Sequence, residues 1–318
     1  MLADLSTPIG WRELLKRTVR ETQRDDVPDL AAQLAYYFFL ALFPALLCLI
    51  ALASLFPLEH LIDDVTRLLE PVAPAEMVTI IRQQLLRISQ SDSAGLFSLG
   101  LLGAIWSSSA AMVALMGAVN RAYGITDSRP WWKRRLTAVL LTVGLAFFVL
   151  ISFTLVIAGP EIAGALARRL GLGAAFTTVW TLLQWPVAFA FVAAGIGIIY
   201  AVAPDADQER VWITPGSILA TLLWILGSLG FRFYVVNFGS YEATYGAIGG
   251  VILLMLWFYL TGLVIIVGAE MNAEIDHASP WYAASVATAP GARRKIGRAA
   301  ARAFRSAQSV RRPDLQVR

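Results

Sequence analysis

"AIGGVILLMLWFYLTGLVIIVGAE", residues 247–270, runs uncharged until it closes on Glu270. As a helix rising about 1.5 Å per residue, such a run crosses about 30 Å of hydrocarbon. Five further runs of the same kind lie upstream, at 30–57, 95–119, 136–159, 178–203 and 212–237. The whole chain carries the same signature: of 318 residues, 58% are hydrophobic and only 15% charged. Soluble proteins carry about 25% charged residues, and the mean hydropathy here is +0.64. No soluble core needs six such runs. The expected fold class is an all-α polytopic membrane protein with six transmembrane helices, 246–270 being the sixth.

The first run begins at Leu30 and is far longer than the about 7–15 residues of a signal-peptide core, so it is expected to stay in the mature chain. Cys48, the single cysteine, lies inside it, which excludes an intrachain disulfide and a thiolate metal cluster. No cofactor is expected. Six crossings put the segments before span one, between spans two and three, between four and five, and after six on one side, with twenty Lys and Arg against five on the other. The positive-inside bias predicts that both termini face the cytoplasm of a bacterial inner membrane. Arg232 is the one remaining basic residue and falls within span five. The expected division is a cytoplasmic arm over 1–29, a transmembrane domain over 30–270 and a basic cytoplasmic tail over 271–318.

In the arm, Trp11, Leu14, Leu15 and Thr18 share a helical face, with Arg12, Lys16, Arg20 and Arg24 largely elsewhere, the pattern of a helix resting on the inner leaflet. Pro44 predicts a kink in span one, and Pro186, beside Gln184, another in span four. Between spans one and two, Leu58, Leu61, Ile62, Val65, Leu68, Leu69 and Val72 recur at helical spacing, as do Val78, Ile81, Leu85 and Ile88. Segment 58–93 is therefore expected to be an external amphipathic helix pair. Gly103, Ser107 and Ala111 recur every fourth residue in span two, and Gly246, Gly249 and Gly250 open span six; small residues of this kind predict close helix packing.

Four ordered segments, "AAQLAYYFFLALFPALL", "GLLGAIWSSSAAMVALMGAVNRAYGI", "IYAVAPDADQERVWITPGSILATLLWILGSLGFRFYV" and "YGAIGGVILLMLWFYLTGLVIIVGAEMNAE", resemble the YihY/BrkB family of bacterial inner-membrane proteins, once labelled ribonuclease BN. The resemblance covers roughly residues 15 to 276 and departs in small ways, with Ala41 before "LFP" where serine is frequent and Ser217 after "PG" where alanine is usual. It implies six transmembrane helices and an inner-membrane address. Members have been linked to serum resistance and to export of lipids or lipopolysaccharide precursors.

The nuclease label finds no catalytic set in the residues. A nuclease needs metal-holding carboxylates or a histidine-centred acid and base, and the two histidines, His60 and His277, fall on opposite sides of the expected membrane. Glu270, Glu274 and His277 share a helical face and resemble half of a carboxylate-bridged metal site; the other half is not in the sequence, so no metal site is expected. Arg232 is the sharper signal, because an arginine inside a span faces a cavity, a partner or an interface. It either snorkels to headgroups or, with Asn237, Tyr241 and Tyr245 around Glu242, forms the outer wall of a polar cavity. Ser107 and Ser108 either line that cavity or bond back to their own helix.

The expected function is transport of an amphiphilic anionic, lipid-like substrate between helices 2, 5 and 6, with Arg232, Asn237, Tyr241, Tyr245, Ser107, Ser108 and Glu270 as the substrate-binding candidates. A non-transporting scaffold that recruits partners is the alternative, and a ribonuclease the remote one. Anionic lipid is the expected partner of the basic tail and arm, and nucleic acid is not.

Overall fold

The computed structural model describes residues 9–53, 94–157, 163–164, 167–169, 173–208, 213–238, 247–282 and 294–311. Its principal helices are α1 (Trp11–Arg24), α2 (Val27–Ala53), α3 (Ala94–Ala122), α4 (Trp131–Ile157), α5 (Gly173–Val202), α6 (Pro215–Phe238), α7 (Ala247–His277) and α8 (Gly297–Arg311). Among the described residues there is no strand beyond one isolated parallel bridge, Asp207 to Lys295. The six apolar runs of the sequence fall, as far as they are described, on α2 to α7. Three stretches, Thr178–Val202, Pro215–Val235 and Ile248–His277, are long and apolar enough to cross a membrane, and Val27–Leu42 adds a shorter apolar helix. The expected external pair at 58–93 lies outside the described residues.

The chain divides into two compact units, one of Met1–Tyr36 with Met112–Arg318 and the other Tyr37–Ala111. In the smaller unit, the Ser109 hydroxyl donates to the Trp106 carbonyl at 2.7 Å, a bond within one helix. In the larger unit, α6 on α7 is the most extensive pairing, followed by α4 on α5, α1 on α7 and α5 on α6.

Local chemistry sets the helix ends. Asp26, at φ 51°, makes the turn between α1 and α2, a left-handed conformation that Asp tolerates better than most residues. Pro28 sits in the first turn of α2, where a missing N–H costs nothing. The α2 helix continues through position 44 to Ala53, so the bend expected at Pro44 is not a break; α5 likewise runs through Pro186.

At α6, Thr214 is the N-cap and Pro215 the first helical residue. Thr214 Oγ1 accepts the Ser217 N–H at 3.1 Å, and Ser217 Oγ accepts the Thr214 N–H at 2.9 Å, a reciprocal capping box in which serine replaces the usual Glu or Gln. The departure from alanine at 217 thus strengthens the helix start. Ser217→Ala should destabilise the protein by about 0.5–2 kcal/mol, measurable as a lower melting temperature in detergent.

Small residues allow the closest approaches, though not those marked in the sequence. A Cβ on Gly216 would collide with the Gly268 carbonyl, and one on Gly268 with the Tyr200 hydroxyl and the Gly216 carbonyl. Gly227 sits against Leu260, Gly262 against Leu34 and Ala31, and Gly195 against Leu145 and Phe148. By contrast Gly103 and Gly250 are exposed, and no described atom lies within 4 Å of the place a Cβ would take. Gly249 is buried, and Gly246 lies outside the described residues. The closest glycine contacts among the described residues thus fall on α5, α6 and α7, since spacing marks which glycines share a face, not which face meets a neighbour.

The arm and part of the tail make contacts that the sequence did not mark. α1 packs on α7 and buries Leu14 and Thr18, while Trp11 and Leu15 remain about half exposed. Its apolar face is split between protein and surroundings. The segment after α7 returns to the bundle: Asp207 N–H bonds the Arg294 carbonyl at 2.9 Å and Ile296 N–H the Asp207 carbonyl at 3.0 Å. Ile296, Ala300 and Ala301 are buried, so the beginning of the tail is a docked strap.

Candidate functional site

Polar side chains gather where α3, α5 and α7 end and α6 begins. The turn between α3 and α4 carries Asp127, which holds Arg129 in a bidentate pair, Nε to Oδ1 and Nη2 to Oδ2, both at 2.9 Å. Arg129 also donates to the Ala203 carbonyl at 2.8 Å and stands 3.7 Å from Asp205. Asp205 accepts both the backbone N–H and the hydroxyl of Ser128 at 2.7 Å. Buried Asn120 joins the parts, accepting the Asp205 N–H at 2.8 Å and donating to Asp127 at 3.2 Å. The network clamps the end of α5 to the α3–α4 turn. Asn120 and Asp205 lie in stretches that carry the family resemblance, "NRAYGI" and "APDAD", and Asp127, Ser128 and Arg129 just after the first of them, yet residues so far apart in sequence give no signal that they meet.

Asn272, one turn beyond Gly268 on α7, bonds the start of α6: Oδ1 accepts the Gly216 N–H and Nδ2 donates to Thr214 Oγ1, both at 2.9 Å. The Tyr123 phenol also bonds Asn272. Burial pushes that phenol well above the usual tyrosine range, Asp276 and Glu270 add to the shift and the Asn272 bond opposes it. Tyr123 therefore stays neutral. On α5, the Tyr200 hydroxyl donates to the Ile265 carbonyl beside Gly268.

Glu270 is the most deeply buried of the sequence-marked site residues, 1% exposed. Among the described residues its Oε1 has no hydrogen-bond partner. The charged groups around it are Asp25, Glu21 and Glu274, with Arg121 the one cation among those named. Arg121 is engaged with Asp26 at 3.2 Å, and Glu274 with His277 Nδ1 at 2.9 Å. Burial raises the Asp25 carboxyl, and Arg121 pulls it back. Nearby, Asp276 Oδ1 accepts the Gly297 N–H at 2.8 Å, tying the strap to α7. Among the described residues no three His, Cys, Asp or Glu side chains are placed to hold a metal ion.

The other candidates are dispersed. Arg232 is exposed on α6, and so is Asn237, whose amide donates to the Phe233 carbonyl at 2.8 Å, a bond back into its own helix. Tyr241, Glu242 and Tyr245 lie outside the described residues. Ser107 and Ser108 are half-buried. Arg232 is thus displayed outward, and of the described candidates Glu270 is the buried ionisable one. A cavity of about 60 Å³ between α4 and α5, lined by Leu141, Leu145, Phe148, Gly195 and Ile199, is apolar and offers nothing to a charged headgroup.

The family model described as Virulence factor BrkB matches residues 18–293. A Bacillus subtilis protein named ribonuclease-like YfkH is 36% identical over 243 residues, 76% of this chain and 88% of its own. A UPF0761 membrane protein of Alkalilimnicola ehrlichii is 29% identical over 268 residues, 80% of this chain and 56% of its own. One from Alteromonas mediterranea is 26% identical over 280 residues, 84% and 89%. The chain thus spans little more than half of the Alkalilimnicola relative. No solved structure matches.

Proposed function

The chain belongs to the Virulence factor BrkB family and is a membrane protein, and from that premise we propose that it moves an amphiphilic anionic substrate, lipid-like in build, across the bacterial inner membrane. In this reading all six apolar helices cross, segment 58–93 caps the outer face and both termini are cytoplasmic, as the distribution of basic residues supports.

One observation carries the proposal. Arg232 stands exposed on α6, with Leu226, Leu229 and Phe233 exposed on the same helix. A guanidinium among apolar side chains in a span costs about 2.5–3.5 kcal/mol at the helix centre. A lipid phosphate offsets that cost through charge-assisted hydrogen bonds, and the fork of an arginine suits it. An outward arginine supports lateral approach of a headgroup from the bilayer, in place of the enclosed route between helices 2, 5 and 6.

Arg232→Leu in proteoliposomes should slow movement of a labelled anionic lipid about tenfold or more, the loss of one charged hydrogen-bonded contact. Arg232→Lys should retain part of the rate, and movement of an uncharged lipid with no phosphate, such as a diacylglycerol, should change little. An unchanged rate for the leucine variant removes the proposal and leaves the scaffold reading.

We read the protein as non-enzymatic. The ribonuclease-like name belongs to YfkH, and the histidine–carboxylate pair described here, His277 with Glu274, lies one turn apart on α7 at the strap. Among the described residues no acid–base pair is organised around a space for RNA.

A further inference from the structure

We propose that Glu270 is a binding site for a small, singly charged cation, a proton or an alkali ion, at the end of the bundle where α1 docks. The geometry combines two independent observations. Glu270 is 1% exposed, with one carboxylate oxygen unpartnered among the described residues. Separately, docking of α1 on α7 brings further acids near enough to act on it electrostatically: Glu21 from α1, Asp25 from the α1–α2 turn and Glu274 from α7 itself.

The groups facing it from the packed elements are those three acids, Arg121 from α3 and the neutral Tyr123 phenol beyond the end of α3. Arg121 is committed to Asp26, so the carboxyl lacks a dedicated cation from the protein. A buried carboxylate persists only with a positive partner, and ion pathways and proton relays are among the roles that ionisable residues of membrane helices serve. The surrounding acids focus cations toward it.

The charge of the ligand follows from the spread of the acids. Because no three described carboxylate or histidine side chains are placed to share an ion, the arrangement does not resemble the many-oxygen cage that a divalent cation demands. One carboxylate oxygen, completed by backbone oxygens or water, suits a proton or an alkali ion. The binding stands without the transport reading; only a role as coupling ion rests on it.

The test uses purified full-length protein in detergent, with ionic strength held constant by choline. In one arm sodium or potassium replaces choline at fixed pH; in the other the pH is varied without alkali ions. The melting temperature of the wild type should shift by about 3 °C or more with one alkali ion or with pH. E270Q should lose that response, and E13Q, which alters an exposed acid paired with Arg17 away from the cluster, should keep it. Dependence on the alkali ion identifies a metal ligand, and a wild-type-minus-E270Q difference that changes with pH alone identifies the proton. Equal responses in wild type and E270Q overturn the site.

Carbodiimide labelling of the wild type, mapped by mass spectrometry, decides the matter should the variants not fold. Labelling at Glu270 that falls as the alkali ion or pH is raised supports the site, and labelling absent there or indifferent to both overturns it. Both readouts are independent of lipid movement, so failure of the Arg232 experiment leaves them unaffected.

Discussion

Arg129→Leu should destabilise the protein by about 3–5 kcal/mol, the cost of removing one partner from a buried ion pair. The side chains of Arg129 and Asp127 are 8% and 13% exposed and that of Asp205 is 1% exposed, so deleting the guanidinium leaves Asp205 away from water without its cation and Asp127 with only the longer contact to Arg134 at 3.5 Å. The bond to the Ala203 carbonyl goes as well, loosening the end of α5. Replacing both charges restores part of the loss: R129L combined with D127L should be more stable than R129L alone, because the stranded anion is the larger cost. Melting temperatures of the two single variants and the double variant in detergent check this. Equal stability of R129L and wild type would show that the pair contributes no more than a surface salt bridge.

Gly268→Leu should lower stability by at least the roughly 1–3 kcal/mol of ordinary overpacking, and Gly268→Ala should already lower it measurably. The reason lies in what the new Cβ meets. The Tyr200 hydroxyl is bonded to the Ile265 carbonyl, the Gly216 carbonyl belongs to the capped first turn of α6, and Ala220 Cβ would stand 2.8 Å away. None is the free end of a flexible side chain. Gly230→Ala is the counterpart: no described atom lies within 4 Å, so helix propensity alone predicts a gain of up to about 1 kcal/mol. Opposite signs for two Gly→Ala changes, on α7 and α6, tie the effect to contact; matching signs would remove that explanation.

Both predictions concern residues that the sequence did not single out. Gly103 and Gly250 stood in conspicuous small-residue patterns and turned out exposed, whereas Gly216, one residue after Pro215, meets the backbone of α7. Arg232 drew attention as an arginine within a span and is displayed outward; Glu270, marked on a helical face with Glu274 and His277, is enclosed. The departure at Ser217 was visible in the sequence, but its meaning depended on Thr214 lying three residues earlier at a helix start.

Membrane character was legible from residues alone, because hydropathy is a sum over neighbours in the chain and a span must satisfy its own backbone within one segment. The same holds for the helical class, the family and the position of the long apolar runs. Tertiary structure alone decided that α1 docks on α7, that the strap at 294–297 returns to Asp207 and Asp276, and that Asn120, Asp127, Arg129 and Asp205 form one clamp. Those outcomes depend on which faces of separate helices meet, and helical periodicity specifies a residue's face without specifying the neighbour that will cover it.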